Sequence, residues 1–240
     1  MANNPDNWAE KLRGKFVVFD GPDGCGKSTQ RERLGQHLVE LGLTVVQCKD
    51  PGGTIIGDRI RHVLLDHDLS EMDVRCETFL FMASRAQLVG EVVEPALKRG
   101  AVVLCDRFVS ATCAYQGAAG YDPCRVVEVA RYAIGDTWPD LTLVFDVDVK
   151  QGFDRTGRRP QYVGKNRKKH VTGTPTLFAN VDDGKPDAME ARPMEFHRKV
   201  RANFLSLGNV YPRPVETVDG RPSVDEVHAC VVEVLKRVDL

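Results

Sequence analysis

The 240-residue chain lacks a long apolar run, an excess of either charge and any closely spaced pair of cysteines. No stretch approaches the ~20 apolar residues of a membrane span, and the polar start MANNPDNWAEKLRGK has no apolar signal core. Lysine and arginine total 33 against 34 acidic residues, so nothing draws the whole molecule to nucleic acid or to an anionic membrane. An anionic ligand must then be held by local charge. The seven cysteines are odd in number and never stand at C-x-x-C spacing. That argues for reduced thiols in a reducing compartment rather than a disulfide framework. Together these absences lead us to expect a cytoplasmic protein.

What is present is enough apolar sequence for one large α/β domain. Short apolar runs at Lys15–Asp20, Thr44–Cys48, Ala101–Cys105 and Leu141–Val147 predict strands, with a further short strand around Val215–Val218. Helices are expected at Lys27–Leu41, Ile55–Leu65, Val74–Lys98 with a bend near Pro95, Val126–Ile134, Pro193–Leu207 and Val224–Val238. Apolar, uninterrupted strands alternating with helices imply a parallel sheet covered on both faces. Residues 1–14 read as a flexible polar arm and 15–240 as a single domain. Within it, 155–188 has few apolar positions, much Gly and Pro, and a basic cluster that includes Arg155, Arg158, Arg159 and Lys165–Lys169. It is too long for an ordinary connection and reads as a mobile lid or a disordered insertion.

Gly21–Thr29 reads GPDGCGKST, a match to G-x-x-x-x-G-K-[ST] between an expected strand and an expected helix. Glycines let backbone N–H groups approach phosphate, and the helix N-terminus adds partial positive charge. Gly21, Pro22, Asp23, Gly24, Cys25, Gly26, Lys27, Ser28 and Thr29 are therefore expected to hold ATP. Lys27 would reach the β- and γ-phosphates, and the Ser28 hydroxyl would sit on Mg²⁺. Cys25, beside Lys27 and a helix start, is either a thiolate-prone site or an inert small residue filling the loop.

Four further segments narrow the acceptor: DPGGT at Asp50–Thr54, FLFMASRAQ at Phe79–Gln87, DRFVSATCAYQG at Asp106–Gly117 and PDLTLVFDV at Pro139–Val147. In order and spacing they resemble the thymidylate kinase family, from about Lys15 to Val238. The resemblance implies a P-loop NTPase fold with a five-stranded parallel sheet, and transfer of a phosphoryl group from ATP to dTMP. It also implies a homodimer binding small-molecule nucleotides. By resemblance, Arg107 grips the monophosphate, Arg85 lies along the thymine edge, and Phe81 stacks on the base. Thr112 and Gln116 sit near the base, Tyr115 crowds a ribose 2′-hydroxyl, and Asp23 faces the 3′-hydroxyl. Asp50 and Asp106 orient the acceptor and the Mg²⁺ waters. Taken singly, Phe81 reads as core, Arg85 as a solvated helix residue, Tyr115 as a packing residue and Asp106–Arg107 as a surface pair; the joint pattern reads as an acceptor site.

The chain also departs from the family. Lys49-Asp50 stands where Arg-Glu is usual. Ala188 replaces the lid arginine, and Gly24 occupies the phosphate-loop position where other members carry one. The charge over the transferring phosphoryl is then expected from Arg158 or Arg159, with Arg155 as a third candidate. Two rivals remain open: a kinase for another nucleoside monophosphate, and a nucleotide-binding homologue with weak transfer activity. Asp219–Ser223 reads either as an adenine-side loop or as a plain connection with Ser223 as N-cap.

Overall fold

The computed structural model describes residues 8–66, 72–157 and 188–240. The first part of the expected arm and nearly all of the expected lid, Arg158 and Arg159 included, lie outside the described residues.

Five strands form one sheet: β1 (Phe16–Asp20), β2 (Val45–Lys49), β3 (Val102–Asp106), β4 (Leu141–Asp146) and β5 (Val215–Asp219). Their spatial order is β2-β3-β1-β4-β5 and every pairing is parallel. The helices are α1 (Lys27–Glu40), α2 (Ile55–Leu65), α3 (Val74–Leu88), α4 (Glu94–Lys98), α5 (Val109–Ala118), α6 (Pro123–Ile134), α7 (Val149–Thr156), α8 (Met194–Leu205) and α9 (Val224–Arg237). Side chains alternate across a strand, so β1 feeds two cores. Phe16 and Val18 face one core, with residues of α3, α5, α6 and α8. Val17 and Phe19 face the other, with α1 and α9. The expected parallel sheet covered on both faces is what the chain forms.

Three local expectations need correction. The long helix before β3 does not simply bend at Pro95. It widens into a π-helical turn at Val89–Val93 and resumes as α4 with Pro95 in its first turn. Proline cannot donate to the carbonyl four residues back and its ring crowds that group, so the widened turn absorbs the mismatch one turn early. Helix α5 was not expected. Val109, Ser110, Thr112, Cys113, Ala114, Tyr115 and Gln116 are all buried, so it carries no one-sided apolar stripe for a periodicity reading to find.

The third correction concerns the arm. Residues 8–14 are packed, with Ala9 and Leu12 buried in the second core. The Lys11 ammonium donates to the carbonyls of Lys236 (3.0 Å) and Val238 (2.6 Å). It thereby occupies acceptors at the C-terminal end of α9, where a cation is favoured. Two apolar side chains in a polar stretch are enough to dock it.

Candidate active site

Parallel register brings the chemistry together. Phe19 pairs with Asp106 across β1 and β3, and Lys49 pairs with Asp106 across β2 and β3. The carboxyl ends of three strands therefore present Asp20, Asp106 and Asp50 on one edge, where ligands of open parallel sheets bind. Two backbone bonds extend the pairing past the strands: Asp50 N–H to Asp106 O and Arg107 N–H to Phe19 O, both 2.9 Å. The phosphate loop leaves β1 and enters α1, whose first residue is Lys27.

Arg107 is the non-glycine residue with positive φ, 68°, among the described residues. That turn aims its guanidinium back over the phosphate loop. Nη1 donates to Asp20 Oδ1 (3.3 Å) and to Gly21 O (3.2 Å). Nη2 donates to Asp23 Oδ1 (2.5 Å) and to the Tyr115 hydroxyl (3.1 Å), which itself donates to Asp23 Oδ2 (3.0 Å). Burial would raise the Asp23 carboxyl, but Arg107 and Lys27 together hold it below the ordinary range. Burial wins at Asp20, which is pushed up despite Arg107 and the hydroxyl of Ser110 at 2.6 Å. The Ser28 hydroxyl donates to Asp106 Oδ2 at 2.5 Å. Lys27 lies near Asp23, at 3.7 Å.

Arg85 is not a solvated helix residue: it is 1% exposed. Its Nε donates to Asp50 Oδ2 (2.8 Å), and Nη2 donates to Phe108 O (3.0 Å) and Thr112 Oγ1 (3.1 Å). Burial raises the Asp50 carboxyl against the pull of Arg85. Gln116, wholly buried, donates through Nε2 to Glu77 Oε2 at 2.9 Å.

One cavity of about 260 Å³ joins these groups. Asp23, Lys27, Ser28, Asp50, Asp106 and Arg107 line it, and so do Phe81, Arg85, Thr112, Tyr115 and Gln116. Phe81 packs on the small apolar cluster of Leu64, Leu65 and Met189, so it borders both core and cavity. Gly21, Pro22, Gly24, Cys25 and Gly26 build the turn and Thr29 lies in α1, without lining this cavity.

The comparisons with known proteins agree with this geometry. Residues 19–181 match the family model described as thymidylate kinase. The chain is 40% identical over 220 residues to a thymidylate kinase of Pelobacter propionicus, covering 91% of this chain and 92% of that protein. It is 37% identical to one of Exiguobacterium sp., covering 94% and 98%. A crystal structure of thymidylate kinase from Ehrlichia chaffeensis aligns with a TM-score of 0.67 and 26% identity, over 92% of this chain and 98% of that one.

The chain belongs to the thymidylate kinase family. It is an enzyme, a nucleoside monophosphate kinase.

Against the thymidylate kinase pattern, several residues sit differently from the sequence expectation. Arg155 is not free to cover a phosphoryl group, because it donates to Gly220 O (2.8 Å) and Arg221 O (3.1 Å) from the end of α7. Cys25 is 2% exposed, and burial raises its thiol despite Lys27. Burial thus favours the reading of Cys25 as a small residue filling the loop over the thiolate-prone one. Ser223 caps α9 in a reciprocal capping box with Glu226, in line with the plain-connection reading of that loop.

Other residues of the site were not singled out from sequence. Arg61 lines the cavity and donates to Pro51 O at 3.0 Å. Glu77 and Arg192 support Gln116, and their Nη2–Oε1 bond is 2.7 Å. Arg61 and Glu77 at helical positions and Arg192 just before α8 gave no sequence signal of this, since charged residues usually face solvent.

The backbone around Gly24 leaves no room for a phosphate-loop arginine. The φ of Gly24 is +72°, and a Cβ there would lie 2.0 Å from the carbonyl oxygen of Gly152 on α7. Gly152 is equally constrained, with Asp23 O 2.2 Å from its would-be Cβ. Loop and helix touch backbone to backbone. Gly24→Arg should therefore lower the melting temperature and abolish the stabilisation conferred by Mg-ATP, which thermal unfolding with and without nucleotide measures. A variant that keeps both would show that the loop can move away from α7.

Proposed function

We propose that the cavity transfers the γ-phosphoryl group of ATP to dTMP, giving dTDP and ADP, by positioning and charge rather than through a covalent intermediate. The observation that carries this reading is the Arg107–Asp23–Tyr115 knot, which borders the same cavity as Lys27 and the buried polar groups of Arg85 and Gln116. In this reading Lys27 and the loop N–H groups hold the donor phosphates. Arg107 moves one or more of its donors from Asp23 to the acceptor monophosphate, for which its planar fork is suited. Asp23 then faces the sugar. Arg85, held by Asp50 and Thr112, lies along the base edge, and Phe81 stacks on the ring.

Mg²⁺ fits the residues present. Ser28 and Asp106 offer a hydroxyl and a carboxylate, the hard oxygen donors this ion takes alongside phosphates and its own waters. Among the described residues no group of three or more His, Cys, Asp or Glu could hold a metal, so the substrate phosphates would complete the shell. When bound, the ion neutralises charge on the phosphates.

Two coarser expectations extend the same reading. No described helix is long and apolar enough to cross a membrane, and all seven cysteines are free thiols, which supports a cytoplasmic setting. Ile55, Ile56 and Val63 on α2 and Phe79 on the adjoining α3 are exposed, an apolar face that supports a homodimer.

ADP release from Mg-ATP across dTMP, dCMP, dGMP, dAMP and the ribose form of TMP tests the reading. We expect dTMP to have the highest kcat/KM, at least about tenfold above its ribose form. Tyr115→Phe should keep most of that preference while raising KM, since the ring remains but its bonds to Asp23 and Arg107 are lost. Tyr115→Ala should lose the preference. Equal kcat/KM for ribose and deoxyribose acceptors in the unmodified enzyme contradicts the placement of Tyr115.

With Arg155 engaged elsewhere, Arg158 and Arg159 are the proposed source of lid charge. A cation over the transferring phosphoryl is worth ~10³–10⁵ in kcat. Changing both to Ala should therefore lower kcat by about 10³ or more and leave the dTMP KM within a few-fold, because the contact belongs to the transition state. A loss under about tenfold would place the charge on another residue.

A further inference from the structure

The Gln116 side chain is an amide with two different ends, and the protein fixes which end pairs with Glu77. Its Nε2 donates to Glu77 Oε2 at 2.9 Å inside the core. A carboxylate can only accept, so the nitrogen end is committed to Glu77. Gln116 Oε1 is buried and has no hydrogen-bond partner among the described residues, and Gln116 borders the cavity with Arg85 and Thr112. A buried carbonyl oxygen without a partner costs stability unless a ligand supplies a donor. Glu77 is held in turn: its other oxygen accepts from Arg192 Nη2 at 2.7 Å, and the Arg192 guanidinium lies 4.7 Å from the Phe196 ring centroid. Glu77 is on α3, Gln116 on α5 and Arg192 just before α8, so three separate elements converge on one amide.

We propose that Glu77 and Arg192 are positioning residues that lock the Gln116 amide with its oxygen toward the acceptor base, so that the cavity selects a pyrimidine whose ring nitrogen carries a hydrogen. The inference rests on the reading of this cavity as the acceptor site. Thymine and uracil offer an N3–H donor to Gln116 Oε1. Cytosine offers a bare N3 lone pair, which would leave two acceptors facing each other. Sites built around one buried hydrogen bond reject analogues that cannot make it far more strongly than apolar pockets reject a missing methyl group.

The direction of the lock can be reversed by one atom. In Glu77→Gln, Arg192 still requires an acceptor and so holds the oxygen of the new amide. The new amide nitrogen then faces Gln116 and turns the Gln116 oxygen toward itself. Gln116 Nε2 is left facing the cavity, as a donor suited to cytosine N3. Arg192 decides this outcome, so in Glu77→Gln with Arg192→Met neither orientation is imposed.

The test is kcat/KM for dTMP and dCMP with Mg-ATP, read as a ratio. In Glu77→Gln the dTMP:dCMP ratio should fall at least about tenfold, partly through a lower KM for dCMP. The double variant should recover part of the ratio. A merely structural role for Glu77 would depress both substrates alike and leave the ratio unchanged. A ratio within about twofold of the unmodified enzyme in folded Glu77→Gln overturns the proposal. Should that variant not fold, Gln116→Met, of similar volume and without polar atoms in the cavity, must lose dTMP preference without gaining dCMP turnover; retained preference overturns the proposal as well. The underlying reading fails separately, if the unmodified enzyme does not prefer dTMP over dCMP at all.

Discussion

Arg107 leaves β3 with a left-handed backbone and returns its guanidinium to the start of the phosphate loop, donating to Asp20, Gly21, Asp23 and Tyr115. Only the parallel register of β1 and β3 makes this reach possible, because it sets Asp106 beside Phe19 and Arg107 beside the loop that follows. The knot joins the loop that follows β1 to α5, which carries Tyr115. On the proposed reading, it also holds charge for the acceptor. A carboxylate and a phosphate compete for the same planar donors, so an anionic acceptor can take the place of Asp23 without leaving Arg107 unpaired.

A second constraint is the fully buried pair of Arg85 and Asp50, whose side chains are each 1% exposed. Buried ion pairs contribute little net stability, since desolvation offsets the attraction. Removing one partner, however, leaves an unpaired charge in the core and costs several kcal/mol (about 3–5). The pair is better understood as alignment than as a stabiliser. Arg85 has Asp50, Thr112 and the carbonyl of Phe108 as fixed acceptors, so its remaining donor capacity can point in few directions. Asp50, a shorter carboxylate than the Glu expected from the family resemblance, makes this bond to Arg85.

Much of this was legible in the sequence. The central strands β1, β3 and β4 stood out as unbroken apolar runs because both their faces are covered. The edge strands β2 and β5 carry Gln47, Glu216 and Thr217 at exposed or half-exposed positions, and the phosphate loop announced itself by glycine spacing. Phe81, Arg85, Thr112, Tyr115 and Gln116 came together in the cavity as the joint pattern implied. The misses have physical reasons. Helix α5 is buried on nearly all sides and so lacks periodicity. Trp8–Gly14 looked polar because its docking depends on Ala9, Leu12 and the stem and charge of Lys11 rather than on a run. Glu77 and Arg192 lie 115 positions apart and bond only in the folded chain. The backbone contact of Gly24 with Gly152 is equally invisible before folding, yet it leaves no room for a side chain at that phosphate-loop position.

The central claim is that Arg107 exchanges a protein carboxylate for the acceptor phosphate. Calorimetric titration of dTMP into Arg107→Asn tests it most directly, since asparagine tolerates the left-handed backbone at that position. Charge-assisted hydrogen bonds contribute roughly 1.5–3 kcal/mol each. The account therefore predicts that dTMP affinity falls by about 10- to 100-fold while Mg-ATP affinity stays within a few-fold. Unchanged dTMP affinity, or an equal loss for both nucleotides, would contradict it.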